Sequence, residues 1–205
     1  LKTLNSILNQ KFSSYEIIVI DGDSKDGTKD EIENNKRNIS KYIIEKDQGI
    51  YDAMNKGINI SKGRWIIFLN SGDIFYDDNV LFKFAEYDQK NNQIVYGDTI
   101  IDNTNFKYLV KSSKFTDKTF LMPFCHQSCF VRSSILKNQK FILEYKISAD
   151  FNFFVQCYMN NFTFFKVNFI ISQVKAGGLS DTVRKDVFQE NILILKKNKN
   201  KNIHM

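Results

Sequence analysis

Short runs of consecutive apolar residues alternate with helix-spaced segments along the first half of the chain. Leu1, Leu4, Ile7 and Leu8 recur at intervals of three and four and predict a helix over Leu1 to Gln10. Glu16-Ile17-Ile18-Val19-Ile20 is short and continuously apolar, the pattern of a buried strand, and it ends at Asp21. A helix is predicted around Lys29 to Lys36, a strand over Lys41 to Glu45, and a helix from Asp52 to Ser61 stopped by Gly63. Trp65 to Leu69 is the next apolar strand. This alternation predicts an α/β sheet with helices on its faces. Ligands bind such sheets outside the carboxyl ends of the strands, so the polar loops after Ile20, Glu45 and Leu69 are expected to converge on one crevice.

Beyond Asn91 the rhythm changes. A strand at Gln93 to Tyr96, hairpin material at Thr99 to Lys111 and a strand at Ser128 to Val131 are predicted. A helix from Ala149 to Met159, a strand near Phe164 to Phe169 and a last helix from Val183 to Lys197 complete the pattern. No repeat or linker interrupts it, so residues 1–205 read as one domain.

Composition supports a packed core: 42% of the 205 residues are hydrophobic, with 19 Phe and 9 Tyr, so no staples are needed. Cys125, Cys129 and Cys157 are an odd set without zinc-site spacing and read as reduced thiols, pointing to the cytoplasm. No stretch reaches the roughly 18 apolar residues of a membrane span. The chain opens inside a predicted helix without an initiator Met, so further chain is expected before it. The charge of +6 lies largely at the end, where Lys196, Lys197, Lys199 and Lys201 follow the apolar Ile192 to Leu195. That tail reads either as a solvated helix end or as peripheral attachment to an anionic membrane. Basic residues are otherwise dispersed among acidic ones with no aromatic-basic recognition motif, which argues against nucleic acid.

Three polar segments follow predicted strands. Asp21-Gly22-Asp23-Ser24-Lys25-Asp26-Gly27-Thr28 reads either as an Asx-rich turn capping the next helix or as a loop whose carboxylates accept hydrogen bonds from a base or ribose. In Glu45 to Gly57, a loop with Asp47 and Gly49 runs into a helix carrying Asp52 and, three residues on, Asn55. Leu69-Asn70-Ser71-Gly72-Asp73 closes a strand; it is either a plain turn or a place where Asp73 holds a divalent cation against a leaving diphosphate.

In order and spacing these segments resemble glycosyltransferase family 2. The helix Leu4 to Gln10 with Tyr15 to Asp21 and Ser24 to Thr28 is similar to the family's nucleotide-binding opening. Asp47 to Gly57 resembles its Gly-x-x-x-Ala-x-Asn-x-Gly signature, and Asn70 to Asp73 stands in place of its Asp-x-Asp motif. Gly-Ile-Tyr-Asp-Ala-Met-Asn-Lys-Gly and Leu-Asn-Ser-Gly-Asp are similar to the subgroup of colanic-acid and surface-polysaccharide enzymes. The resemblance implies a GT-A fold, a Rossmann-like mixed sheet flanked by helices, here without its first strand. It implies a nucleotide-sugar donor, UDP-sugar favoured, bound in residues 1–95, and a glycan or lipid-linked acceptor bound in residues 96–205. Asp21, Asp23, Asp47, Gly49, Asn55 and Asn70 are implied at the donor, and Asp73 at Mg²⁺ or Mn²⁺. The chain departs from the motif at Asn70 and Gly72, which leaves Asp73 as the one carboxylate there.

An inverting transfer needs a base at the acceptor hydroxyl. Ile147-Ser148-Ala149-Asp150-Phe151 resembles the family's acidic acceptor motif and makes Asp150 the candidate base, with helix capping as its structural alternative. Cys125-His126-Gln127 resembles a His-Gln pair of the subgroup and places His126 at the donor sugar or acceptor. Gly177-Gly178-Leu179-Ser180 reads as a loop closing over the diphosphate or as a plain turn. The competing function is a non-catalytic nucleotide-sugar or glycan-binding module, favoured by Asn70, Gly72 and the missing strand.

Overall fold

A computed structural model describes residues 1–88, 91–103, 105–178 and 183–202. Its elements in chain order are α1 (Lys2–Leu8), β1 (Ile18–Asp21), α2 (Thr28–Asn35), β2 (Lys41–Ile44), α3 (Ile50–Ile60), β3 (Trp65–Ile66), β4 (Ile74–Phe75) and α4 (Val80–Asp88). β5 (Ile94–Asp102), β6 (Lys107–Val110), a 3₁₀ turn (His126–Ser128), β7 (Cys129–Arg132), α5 (Ser133–Asn138), α6 (Ala149–Met159), β8 (Phe164–Lys175) and α7 (Arg184–Asn202) follow.

β1 and β2 pair in parallel, from Ile18 with Lys41 to Asp21 with Ile44. The larger sheet runs β3-β7-β5-β8-β4, with β6 also on β5. β5 is its spine: it lies parallel to β8, antiparallel to β7 through Ile94 to Tyr96, and antiparallel to β6 through Thr99 to Asp102. The period-2 alternation of a strand divides its side chains between two cores. Ile94 and Tyr96 join Met54, Ile58, Phe153 and Phe154 beneath α3 and α6, whereas Val95 joins Phe84, Phe130 and Ile171 beneath α4. The β5–β8 register shifts on both sides of Asp98, the mark of a bulge beside Gly97.

The apolar positions of α3 explain its placement, since the buried Tyr51, Met54 and Ile58 share one face. α6 is instead buried on nearly all sides, as its run of Phe151, Phe153, Phe154 and Val155 requires. Asp88 holds one edge of the sheet: its carboxylate accepts the Trp65 indole N–H at 2.5 Å, meets Arg132 at 3.3 Å and pairs with Arg64.

The predicted strand Trp65 to Leu69 forms a ladder only at Trp65 and Ile66, against Arg132 and Val131. Ile67, Phe68 and Leu69 border a largely apolar cavity of about 650 Å³ whose other side is lined by Ile17 and by Ile18 and Ile20 of the small sheet. With a cavity there instead of a strand, no backbone ladder can continue. β8 runs on to Lys175 and α7 to Asn202, past the expected ends, while β4, α4 and α5 were not anticipated from the pattern.

Candidate active site

The loop after β1 is an Asx turn: buried Asp21 accepts the Ser24 N–H through Oδ1 at 2.9 Å. Asp23 adopts a left-handed φ of +70° and is flanked by two cations, Lys25 at 2.8 Å and Lys29. Hydrogen bonds from Lys25 and then Lys29 hold its carboxyl down at about 2. The loop after β2 meets it closely. A Cβ added to Gly22 would stand 2.5 Å from Asp47 Oδ2, so only glycine lets that carboxylate lie over the β1 turn. Asp47 Oδ1 accepts the Gly49 N–H at 2.9 Å, and Gly49 takes φ +121° and ψ 176°, a conformation open in practice to glycine alone. Asp52 accepts the Gln48 N–H at 3.0 Å, and Lys56 reaches Glu45 at 2.9 Å, fixing the loop to α3.

Asp47, Asn70 and Ser71 all line the same cavity, so the second and third loops converge there as expected. Asp21 and Asp23 lie on the adjoining loop without lining it. Asn55 departs from its expected role. Its side chain donates to the Phe141 carbonyl at 2.9 Å and accepts the Phe141 N–H at 3.0 Å, so it braces the segment before α6 rather than facing the crevice. Three residues separate Asp52 from Asn55, but Asp52 turns to the loop and Asn55 to the core.

Asp73 is 3% exposed. Its Oδ1 accepts the Lys175 N–H at 3.0 Å and its Oδ2 the Gln127 amide at 3.2 Å. Burial raises its pKa, only partly offset by the Lys175 and Gln127 hydrogen bonds. A divalent cation asks for several oxygen ligands with free lone pairs. Here Asn70 is neutral, Gly72 has no side chain, and Asp73 is enclosed and engaged on both oxygens; among the described residues no three His, Cys, Asp or Glu side chains cluster as metal ligands. These residues do not fit a metal held by the protein. A cationic arm, Lys175, passes beside this loop, its Cδ 3.6 Å from where a Gly72 Cβ would stand.

Asp150 opens α6 and is the centre of a second cluster. Its Oδ2 lies 3.2 Å from His126 Nδ1, and its Oδ1 accepts the Phe151 N–H at 2.8 Å. The Tyr51 hydroxyl lies 2.9 Å from the same Oδ1 and 2.6 Å from the Ile147 carbonyl, sharing one proton between two acceptors. Burial alone would raise the Asp150 pKa; His126, Tyr51 and the Phe151 N–H outweigh it and lower the value. The fold therefore stabilises the carboxylate, a contribution present above the ordinary aspartate pKa and lost as pH falls through the lowered one. Burial and the Asp150 charge raise the Tyr51 pKa, keeping it a neutral donor. His126 is 18% exposed at its side chain, and its Nε2 is buried with no hydrogen-bond partner among the described residues. Such an atom is rare in a folded protein and marks a place for a missing partner.

Two sets of long-range contacts had no signal in the sequence pattern. Glu190 of α7 accepts the N–H groups of Lys146, Ile147 and Ser148 at 3.0, 3.1 and 2.9 Å, clasping the turn that leads into Asp150. The 3₁₀ turn joins the two halves. Its His126 meets Asp150, its Gln127 meets Asp73, and its Ser128 hydroxyl lies 2.7 Å from both the Thr99 and Ser172 hydroxyls, all three buried. Of the expected closing loop, Leu179 and Ser180 lie outside the described residues.

The model of the family described as Glycosyl transferase family 2 matches residues 1–166. A "PGL/p-HBAD biosynthesis glycosyltransferase" of Mycobacterium tuberculosis is 30% identical, over 88% of this chain and 73% of that protein. An uncharacterized glycosyltransferase of Methanocaldococcus jannaschii is 26% identical over 80% of this chain and 61% of its own length. Among solved structures, S. aureus TarS 1–349 in complex with UDP-GlcNAc aligns with a TM-score of 0.74 at 18% identity, covering 94% of this chain and 60% of that one. The mannosyltransferase PcManGT from Pyrobaculum calidifontis, in complex with GDP-Man and Mn²⁺, gives 0.69 at 11% identity, covering 97% and 59%. These likenesses establish the GT-A fold, and this chain spans about three-fifths of either structure.

Proposed function

The chain belongs to glycosyl transferase family 2, and from that premise we propose that it transfers a sugar from a UDP-sugar to a hydroxyl of a glycan or lipid-linked acceptor, with inversion, in the assembly of a surface polysaccharide. One observation carries this reading. Consecutive residues of the 3₁₀ turn hold Asp73, on the loop expected at the donor diphosphate, and Asp150, the carboxylate expected at the acceptor. A transfer needs its leaving group and its base held at a fixed separation, and this turn supplies the link.

In the reaction, the acceptor oxygen forms a bond to the anomeric carbon as the bond from that carbon to the diphosphate oxygen breaks. The acceptor proton passes to His126 Nε2, which has no partner among the described residues, while Asp150 holds Nδ1 and stabilises the imidazolium. This refines the expectation that Asp150 takes the proton itself, since both its oxygens are engaged. Asp47, with its Oδ2 over the β1 turn, and Asn70, which lines the cavity, receive the nucleoside and ribose. No step is assigned to Mg²⁺ or Mn²⁺; Lys175, beside Gly72, supplies the positive charge for the diphosphate. UDP is favoured by the TarS complex, with GDP as the comparison drawn from PcManGT.

Calorimetry with UDP and GDP, with Mn²⁺ and with chelator, tests the donor reading. UDP is expected to bind more tightly than GDP, and removing Mn²⁺ should shift its affinity by less than about tenfold, under about 1.4 kcal/mol. Failure of both nucleotides to bind rejects the donor site, and a much larger Mn²⁺ effect rejects the assignment of charge to Lys175. Tight UDP binding without sugar transfer to any acceptor would identify the binding module that Asn70 and Gly72 also suit.

Gly22→Ala separates the site from the fold. The new methyl meets the far end of the Asp47 side chain, which can swing away, so the thermal midpoint should stay near that of the parent. Displacing the carboxylate should still weaken UDP binding about tenfold, the loss of one hydrogen bond to a charged group. Unchanged UDP affinity in this variant would remove Asp47 from the site.

A further inference from the structure

α7 covers the protein with one face and leaves the other bare. Asn191, Ile194 and Asn198 are buried, whereas Phe188, Ile192 and Leu193 are exposed, Ile192 by 51%. Phe120, 55% exposed, comes alongside: its carbonyl accepts the Asn191 amide at 2.9 Å and its ring centroid lies 6.3 Å from that of Phe188. Leu121 is exposed next to it. The result is an aromatic and aliphatic patch made from two separate segments, one pinned to the other by a part-buried hydrogen bond.

Among the described residues, cations outnumber acids around the patch. At 3.6 residues per turn, Arg184, Lys185, Lys196 and Lys199 fall on the same side of α7 as Phe188 and Ile192. All four are exposed, and none forms an ion pair among the described residues. Lys197 faces elsewhere, paired with Glu144 at 2.6 Å. Of the acids of the helix, Glu190 is engaged in its clasp on residues 146–148, and Asp186, exposed, lies across the helix from Phe188, on the side of Leu193. Asp117, in the segment before Phe120, is flanked by Lys114 and Lys118.

We propose that this face of α7, with Phe120 and Leu121, is a docking surface for an anionic phospholipid bilayer, lying on the membrane rather than crossing it. An interfacial helix joins a bare apolar stripe to a rim of Lys and Arg, the apolar part entering the headgroup boundary and the cations meeting anionic headgroups. A second copy of the chain would bring the same four cations against each other. Among the described residues no helix is long and apolar enough to cross a membrane. The docking helix also carries Glu190, so the surface that meets lipid and the turn that presents Asp150 belong to one connected unit. The inference rests on the surface alone and stands apart from the identity of the donor.

Co-sedimentation with phosphatidylcholine vesicles, with and without phosphatidylglycerol, tests it. Binding is expected to vesicles containing phosphatidylglycerol, to fall in high salt, and to be weak on phosphatidylcholine alone. The pair Lys196→Glu with Lys199→Glu and the pair Phe188→Ser with Ile192→Ser should each weaken binding about tenfold or more. Lys36→Glu with Arg37→Glu, on the end of α2, should leave it unchanged. If the serine pair disturbs folding by circular dichroism, the glutamate pair decides alone. No binding to anionic vesicles, or binding indifferent to the glutamate pair, overturns the proposal. So does a dimer in sedimentation velocity that the serine pair dissolves while vesicle binding is absent.

Discussion

Asp150→Asn is expected to slow sugar transfer about 10²- to 10⁴-fold, the range of a lost acid–base contribution, while leaving UDP affinity near that of the parent. The reason lies in the proton on His126. A carboxylate at position 150 accepts from Nδ1–H and leaves Nε2 as the free base. An asparagine can turn its amide N–H toward Nδ1, which selects the opposite tautomer and places the imidazole proton on Nε2. The acceptor hydroxyl then meets a donor where it needs an acceptor. Tyr51 and the Phe151 N–H can still reach the amide oxygen, so the shape of the site survives.

His126→Gln should cost about as much, and the double variant about as much as either single change, because two residues acting as one unit give non-additive losses. Single-turnover transfer from a radiolabelled UDP-sugar, alongside calorimetry for UDP, is the measurement. If Asp150→Asn is slow but His126→Gln transfers at the parental rate, Asp150 is itself the base and His126 merely packs against it. If both transfer normally, the acceptor site lies elsewhere.

Two strands that lead into the donor side were legible because Ile17 to Ile20 and Trp65 to Leu69 are continuous apolar runs that end at Asp21 and Asn70, polar residues that a sheet interior does not accept. The same logic placed Asp150 on the first turn of α6, whose boundaries were read from the sequence without error. Contacts between distant segments were not legible. Gln127 on Asp73 and Glu190 on the turn before α6 join residues 54 and more than 40 positions apart, and periodicity contains no such information. The family signature implies Asn55 at the donor, and its spacing from Asp52 gives a relative angle but not which way the helix faces the core. β4 has two residues, too few to show alternation. The truncated ladder of β3 depends on what lies beside it, a property of the neighbouring cavity rather than of Trp65 to Leu69.

The largest expected effect on stability comes from Gly97→Ala. A methyl at this position would stand 2.6 Å from the Phe169 carbonyl oxygen and 2.9 Å from the side chain of Ile171. Alanine would ordinarily help a strand by roughly 0.5–1 kcal/mol, because glycine loses more freedom on folding. Here the obstacle is backbone of the paired strand, which cannot rotate aside, and Ile171 is fully buried in the core beneath α4. Relief requires β5 and β8 to part at the bulge around Asp98, at an overpacking cost of about 3 kcal/mol, which exceeds the gain. For a chain of this size the net loss lowers the thermal midpoint by roughly 5–10 °C. Gly178→Ala, with open space around it among the described residues, is the control and should melt with the parent. The displacement would also reach the site. Asp98 and Thr99 follow Gly97 directly, and Ser128 bonds to the Asp98 carbonyl at 3.2 Å and to the Thr99 hydroxyl at 2.7 Å. Parting the strands therefore loosens the turn that holds His126 and Gln127, so transfer by Gly97→Ala should fall even at temperatures where circular dichroism reports it folded. A variant that melts with the parent would show that β8 can yield at Phe169, and a less stable variant with full activity would show that the turn is held without the bulge.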